Sequence, residues 1–429
     1  MPIVAPWSRV TCPYCFDRFH LSRAHRRQVG SSAPQVPDPQ LGGFFGNPSL
    51  MAGEWYDPTM RVPPQWIKRQ AHNAWRSVHV PGEAHDERMI CRGCHIPLPD
   101  KIASGEASGE VIAVVGARNS GKSNFFGSLV SALRRRYMSD VGFDLLDGET
   151  FTQKGRMATS DLYKERYGKY LFDPVNPKVV PQTRAVVGKA VIRAEDDPRI
   201  PLIYMFRFRK RAWQHLTRPL AHRIPTYFMV YDAAGEDMVS GSQLDQFYHF
   251  IRRATGIIFL IDPFDYPGIR SRLPEEIQKR LPPSSPEPAR IVDEVLHQLR
   301  GRGGRSASGK INIPVAFALT KADMFQKIGG LVYGGSAITK EANHQRGYDQ
   351  VGCEALHREV MQYIREWDSS ELLAKAENNF SNYQFFALSA LGAQPRADLG
   401  LDQAVTPFRV ADPLLWLFWA RGFLAASKT

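Results

Sequence analysis

The stretch VIAVVGARNSGKS, Val111 to Ser123, decides the fold. The apolar run VIAVV reads as a buried strand, GARNSGKS as a glycine-punctuated turn, and Lys122 to about Arg136 as a helix. That order suits a backbone wrapped around a nucleoside triphosphate. Gly116 and Gly121 let the chain turn its N–H groups inward, Lys122 can reach the terminal phosphates, and the Ser123 hydroxyl can hold Mg2+. The helix that follows aims the positive end of its dipole at the same phosphates. Asn119 and Ser120 in the loop and Asn124 in the first helical turn complete the set expected to line the nucleotide.

Downstream, apolar runs recur at Ile203–Arg209, Tyr227–Tyr231, Gly256–Ile261, Val315–Leu319 and Gln384–Leu388, alternating with helical segments such as Ile291–Leu299. This predicts an α/β domain with a doubly wound, mostly parallel sheet, whose ligands bind at the C-terminal strand ends. Three of those ends carry chemistry. YFMVYD opens into DAAGE, where Asp232 can order Mg2+-bound water and the Gly235 N–H can meet a terminal phosphate. AFAL opens into TKAD, Thr320 to Asp323. The Asp323 carboxylate can accept from both guanine donors, N1–H and the exocyclic amine, while the Lys321 stem lies along the base; adenine lacks that donor pair. The last run opens into SAL, where Ser389, Ala390 and Leu391 can brace the base and Asp323.

GARNSGKS, DAAGE, TKAD and SAL, in this order, resemble the motifs of the Ras-like, translation-factor-related P-loop GTPases over about Val111 to Lys428. The resemblance implies binding of GTP as substrate, Mg2+ as cofactor, hydrolysis and a nucleotide-dependent switch. It puts Lys122 and Ser123 on phosphate and metal, Asp232 behind the Mg2+, and Lys321 and Asp323 at the base. It also implies a first-switch threonine on Mg2+ and phosphate. Thr183 in VVPQTRAVV is the candidate, with Thr150, Thr152 and Thr159 as rivals. Two residues depart from the common pattern: Thr320 replaces an asparagine, and Glu236 stands where Ras has a water-positioning glutamine. A glutamate accepts from an attacking water but cannot donate to phosphoryl oxygens, so slow or partner-dependent hydrolysis is expected from Lys122, Thr183, Gly235 and Glu236.

Residues 1–110 form a separate module, with the boundary to 111–429 near Glu110. CPYC and CRGC hold Cys12, Cys15, Cys91 and Cys94, two knuckles suited to tetrahedral Zn2+ in a zinc-ribbon-like module. Four thiolates leave no position for water, which makes the metal structural; His20 and His95 are the alternative ligands. Between the knuckles, about 28–64 is rich in Pro, Gly and Ser and reads as an irregular insertion, followed by a short helix over Gln65–Ser77 with Trp66, Ile67 and Trp75. ASGEASGE reads as the linker into the second domain. Together CPYC, ICRGCHIPLP, GARNSGKS and DAAGED resemble the double-GTPase families of bacterial conflict systems. That resemblance implies a regulatory switch whose partner is a second GTPase, an activating module or an effector. The other functional reading is a nucleotide-bound scaffold whose cysteine module makes the contacts.

With 429 residues, 43% of them hydrophobic, the chain can build a sizeable core. Its net charge of +12 suits an anionic partner, but no nucleic-acid-binding module accompanies it, and the run RFRKR, Arg207 to Arg211, reads as the solvated end of a strand or hairpin. Met1 to Val10 holds no long apolar segment, and LLWLFWARGFL, Leu414 to Leu424, is too short to span a bilayer and carries Arg421. A soluble, cytoplasmic protein with a buried C-terminal helix is expected.

Overall fold

VIAVV lies in strand β1, Ser108–Gly116, of the computed structural model of this chain. The described residues are 9–57, 86–181, 200–208, 226–232, 244–281, 288–300, 309–325, 335–367 and 370–427, less 32, 48, 106, 118, 153, 154 and 397. They fall into two compact units. One joins Met1–Val111, Leu146–Asp161 and Val186–Val230; the other joins Ile112–Leu145, Leu162–Ala185 and Tyr231–Thr429.

In the second unit β1 pairs in parallel with β2, Gly256–Ile261, which pairs with β3, Val315–Leu319, which pairs with β4, Tyr383–Ala387. The register sets Leu260 opposite Gly116, Ile261 opposite Leu319, and Leu319 opposite Ala387, so the four C-terminal ends lie along one edge. Parallel strands need crossovers, and helices supply them. Side chains alternate faces along a strand. Phe385 stacks on His357 of helix Gln350–Glu366, with ring centroids 5.9 Å apart, while its neighbour Phe386 meets Trp416 of helix Asp412–Ala420 at 6.0 Å. The two helices therefore cover opposite faces of the sheet, and both faces are apolar. Within the sheet Phe317 stacks between Phe259 and Phe385 at 5.1 and 4.9 Å.

The segment at Leu414–Leu424 is the expected buried helix, now Asp412–Ala420, and Leu417 packs where Gly256 leaves room. Among the described residues no helix is long and apolar enough to cross a membrane. Helix α1, Lys122–Ala132, does not stop near Arg136 but widens into a π-helix, Leu133–Gly142. The helix expected over Ile291–Leu299 runs Pro288–Arg300. Phe143–Asp147 is a strand that the polar run before it concealed.

In the first unit Arg9–Thr11 pairs with Arg18–His20, and His25–Val29 lies between Trp55–Tyr56 and Asp86–Ile90. The expectation of an irregular insertion from 28 is corrected for its described part. Gln35–Pro37 pairs with Met51–Gly53, and between them helix Pro39–Phe45 is capped by the Asp38 side chain at one end and left-handed Gly46 at the other. Of the small-residue linker, Ala103 ends the helical turn Asp100–Ala103 and Ser108 opens β1. A hairpin, Glu149–Thr152 with Gly155–Ala158, belongs to this unit, and Phe151 donates its N–H to the buried Tyr14 hydroxyl at 2.7 Å. The helix expected over 65–77 lies outside the described residues.

Candidate functional site

The turn after β1 is tight because Gly116 has no side chain. A Cβ there would sit 2.6 Å from the Leu260 carbonyl oxygen and 2.5 Å from Ser120 Oγ. Asn119 and Gly121 take left-handed φ values of 66° and 85°, one tolerated by a short polar side chain and the other by glycine. Lys122 then starts α1 and bends back. Its Nζ donates to the Gly116 and Ala117 carbonyls, each at 2.9 Å. An ammonium fixed on the loop's own carbonyls stays at the loop, where it can meet a phosphate. Ser120 Oγ is buried and, among the described residues, has no hydrogen-bond partner, an orphaned polar group inside the same loop. The residues present thus fit a phosphate cradle. Asn124 Oδ1 accepts from the Val180 N–H at 2.9 Å, holding the segment before residue 183 against α1.

TKAD and SAL meet. Asp323 Oδ1 accepts from Ser389 Oγ at 2.6 Å, and Ser389 Oγ accepts from the Gly392 N–H at 2.9 Å, which fixes the hydroxyl as donor to the carboxylate. The Ala322 N–H donates to the Leu388 carbonyl at 3.0 Å, joining the two loops. SAL is tied to α1 by Ser128 Oγ, which donates to the Ala390 carbonyl at 2.6 Å. Leu391 accepts from the Thr406 N–H. Thr320 explains its departure from asparagine, since its N–H and Oγ1 both bond the Ile261 carbonyl, at 2.9 and 3.2 Å, closing β3 onto β2.

Lys321 adopts a left-handed φ of 57° and pairs with Asp262, with its Nζ 5.7 Å from the Phe264 ring centre. Such a backbone costs about 1–3 kcal/mol in a residue with a Cβ, and such costs cluster at functional sites. Asp262 was missed from sequence. Its signal is faint, an acidic residue ending β2 in IDPFD, where Oδ1 also caps the Phe264 N–H at 3.0 Å.

Asp232 ends the strand Thr226–Asp232, of which only the backbone is described, and Thr183, Gly235 and Glu236 lie outside the described residues. Of the Mg2+ set, Ser123 stands in the first turn of α1. The rivals to Thr183 are engaged elsewhere, for Thr150 Oγ1 bonds Pro201, Thr152 Oγ1 bonds Gly155 and Thr159 Oγ1 bonds Ile203, each at a backbone carbonyl.

In the first unit the two knuckles converge. Cys12 and Cys94 sulfurs lie 3.7 Å apart, Cys15 and Cys91 3.5 Å, and all four lie within 4.8 Å of one another. The knuckles match in backbone. Phe16 and His95, each following a second cysteine, have φ near 60° (60° and 57°) and return an N–H to the Cys12 and Cys91 carbonyls. Burial pushes the Cys12 and Cys94 thiols up, whereas hydrogen bonds from Cys12, Cys15 and Cys94 hold Cys91 well below the thiol range. A donor set of four sulfurs at this spacing fits one tetrahedral soft cation.

His95 is not in that set. Its Nδ1 lies 3.0 Å from the Asp38 carboxylate and its Nε2 3.3 Å from His25 Nδ1, and Arg27 pairs with Asp38. His20 Nε2 accepts from Arg9 at 3.5 Å. Asp38, His25 and Arg27 were invisible from spacing alone, being brought to His95 from across the insertion.

No family model matches the chain. It is 26% identical over 348 residues, 78% of this chain and 80% of the relative, to SaeC of Mycolicibacterium smegmatis, named as a candidate ESX-1 scaffolding and assembly protein. Among solved structures it is similar to the small GTPase Arl6 (BBS3) of Trypanosoma brucei with the nucleotide analogue GppNp. The identity is 11%, the coverage 74% of this chain and 100% of that chain, and the TM-score 0.27. At that score the likeness carries no weight beside the strands, register and loops described above.

Proposed function

We propose that this chain binds GTP with Mg2+ and acts as a nucleotide-dependent switch toward a protein partner, hydrolysing GTP slowly or with that partner's help. The Asp323–Ser389 pair carries the reading, because a carboxylate oriented by a serine and joined through Ser128 to the phosphate-loop helix suits a guanine base. Lys122 and the backbone of Gly116 to Gly121 would hold the phosphates, and Ser123, Asp232 and Thr183 the Mg2+. That ion would neutralise charge on the phosphates. Gly235 and Glu236 would receive the terminal phosphate and the attacking water. Zn2+ on Cys12, Cys15, Cys91 and Cys94 would stabilise the module of residues 1–110, and its surface would offer the partner a docking face. The scaffolding and assembly name of SaeC supports a protein partner. The narrower reading, a cytoplasmic switch in a bacterial conflict system working with a second GTPase, an activating module or an effector, rests on the resemblance of the motifs.

Hydrogen exchange of the whole chain with GDP and with a non-hydrolysable GTP analogue tests the switch. The analogue should slow exchange over 177–183 and 232–242 more than GDP does. Equal protection by both would sink the switch and leave the nucleotide-bound scaffold, a reading that Glu236 and the SaeC name also suit.

A further inference from the structure

We propose that the outer end of the phosphate-loop helix carries a separate docking site for an acidic protein segment. A surface cavity of about 490 Å³ opens there, with Arg134, Arg135, Lys164 and Lys169 around it and Tyr163 and Phe172 among its walls. All four cations are exposed. Among the described residues that line it, the one carboxylate, Asp173, is committed to its own turn, accepting from the Val175 and Asn176 N–H groups at 2.8 and 2.9 Å. Lys169 pairs with Glu165 at 3.0 Å, a surface contact that an incoming carboxylate can displace at little cost.

The cavity is built rather than incidental. Both walls are π-helical, over Leu133–Gly142 and Lys164–Gly168, and such wide turns recur at functional sites because they displace side chains from the regular helical face. The walls are clamped together: the Tyr163 hydroxyl donates to the Gly127 carbonyl at 2.7 Å, and Gly127 admits Leu171 so closely that a Cβ would lie 2.3 Å from it. The guanidinium of Arg134 stands 5.9 Å from the Tyr163 ring centre and that of Arg135 5.1 Å from Phe172, so both are partly ordered before any ligand arrives.

Charge complementarity selects an acidic partner, and the aromatic arrangement selects protein over nucleic acid. Base stacking needs an open ring face, but Tyr163 is buried and each ring has a guanidinium over it. Carboxylates suit the guanidinium forks, and one apolar side chain suits the walls between them. The site does not rest on the nucleotide reading.

Fluorescence anisotropy of the whole chain tests it. The probe is a short labelled peptide of glutamate and aspartate around a central leucine, run beside a labelled single-stranded oligonucleotide. The peptide should bind at low salt and weaken as salt rises. Arg134→Glu/Arg135→Glu should reduce its affinity on the order of tenfold or more, whereas Arg252→Glu/Arg253→Glu, an equal charge change on an exposed helix end, should not. Unchanged melting temperature shows that the reversed variant folds; Arg134→Gln/Arg135→Gln replaces it if it does not. No peptide binding, binding indifferent to the Arg134 and Arg135 changes, or oligonucleotide binding lost in their place would each overturn the proposal.

Discussion

Asp323→Asn separates guanine recognition from folding. In the native loop one carboxylate oxygen accepts from Ser389 at 2.6 Å. Asparagine keeps that bond, because its Oδ1 can face the same hydroxyl, so the loop should hold and the melting temperature should barely move. What changes is the other atom, which turns from acceptor to donor and faces the donor edge of guanine. Two charge-assisted hydrogen bonds at about 1.5–3 kcal/mol each would be lost. Asp323 is only half-buried, which favours the lower end, about 3 kcal/mol in all, or on the order of 10² in GTP affinity. Xanthine carries a carbonyl where guanine has its amine, so the variant should gain affinity for XTP. Competition of GTP, XTP and ATP against a fluorescent guanine nucleotide reads all three. A variant that binds GTP as tightly as the native chain, or that loses GTP without gaining XTP, would refute the placement of the base on Asp323.

Other expectations follow from the same packing. Metal analysis should find one Zn2+ per chain, and a strong chelator should speed hydrogen exchange over 9–20 and 86–98, since structural Zn2+ contributes its binding energy to folding. Asn124→Ala removes the acceptor of the Val180 N–H, a bond worth about 1 kcal/mol, so exchange at Val180 should quicken about fivefold. Acid should weaken the second unit through Asp412. Burial alone would raise its carboxyl, but Arg409 at 2.6 Å and His344 at 3.0 Å override burial and hold it below 3.8. Its stabilisation is therefore complete above the unfolded value of about 3.8 and lost as pH falls through the lower folded one. Asp412→Asn, which strands Arg409, should cost about 3–5 kcal/mol near neutral pH, seen as a drop in denaturation midpoint.

Much of the second unit was legible because its strands are short apolar runs ended by charged or glycine-rich turns. Gly256–Ile261 and Val315–Leu319 match their predicted bounds, and Tyr383–Ala387 is displaced by one residue. Phe143–Asp147 escaped because only Phe143, Leu145 and Leu146 are apolar in it, behind a helix whose π turns no propensity rule signals. The insertion misled for another reason. Pro and Gly were read as irregular chain, yet Asp38 and Pro39 start a helix and Gly46 stops one, and that signature was present in the sequence. At the site the motif residues were legible singly. The bracing of Asp323 by Ser389 was legible too, but the ties to the rest of the site were not: the Ser128–Ala390 bond spans residues far apart in the chain, and Asp262 and Val180 enter only through register and tertiary contact.

The most direct measurement is equilibrium titration of the intact chain with GTP and with ATP in Mg2+. A carboxylate held by Ser389 beside a phosphate loop should bind GTP on the order of 10²-fold or more tightly than ATP, because adenine leaves that charge unpaired. Equal affinities would contradict a guanine-specific site.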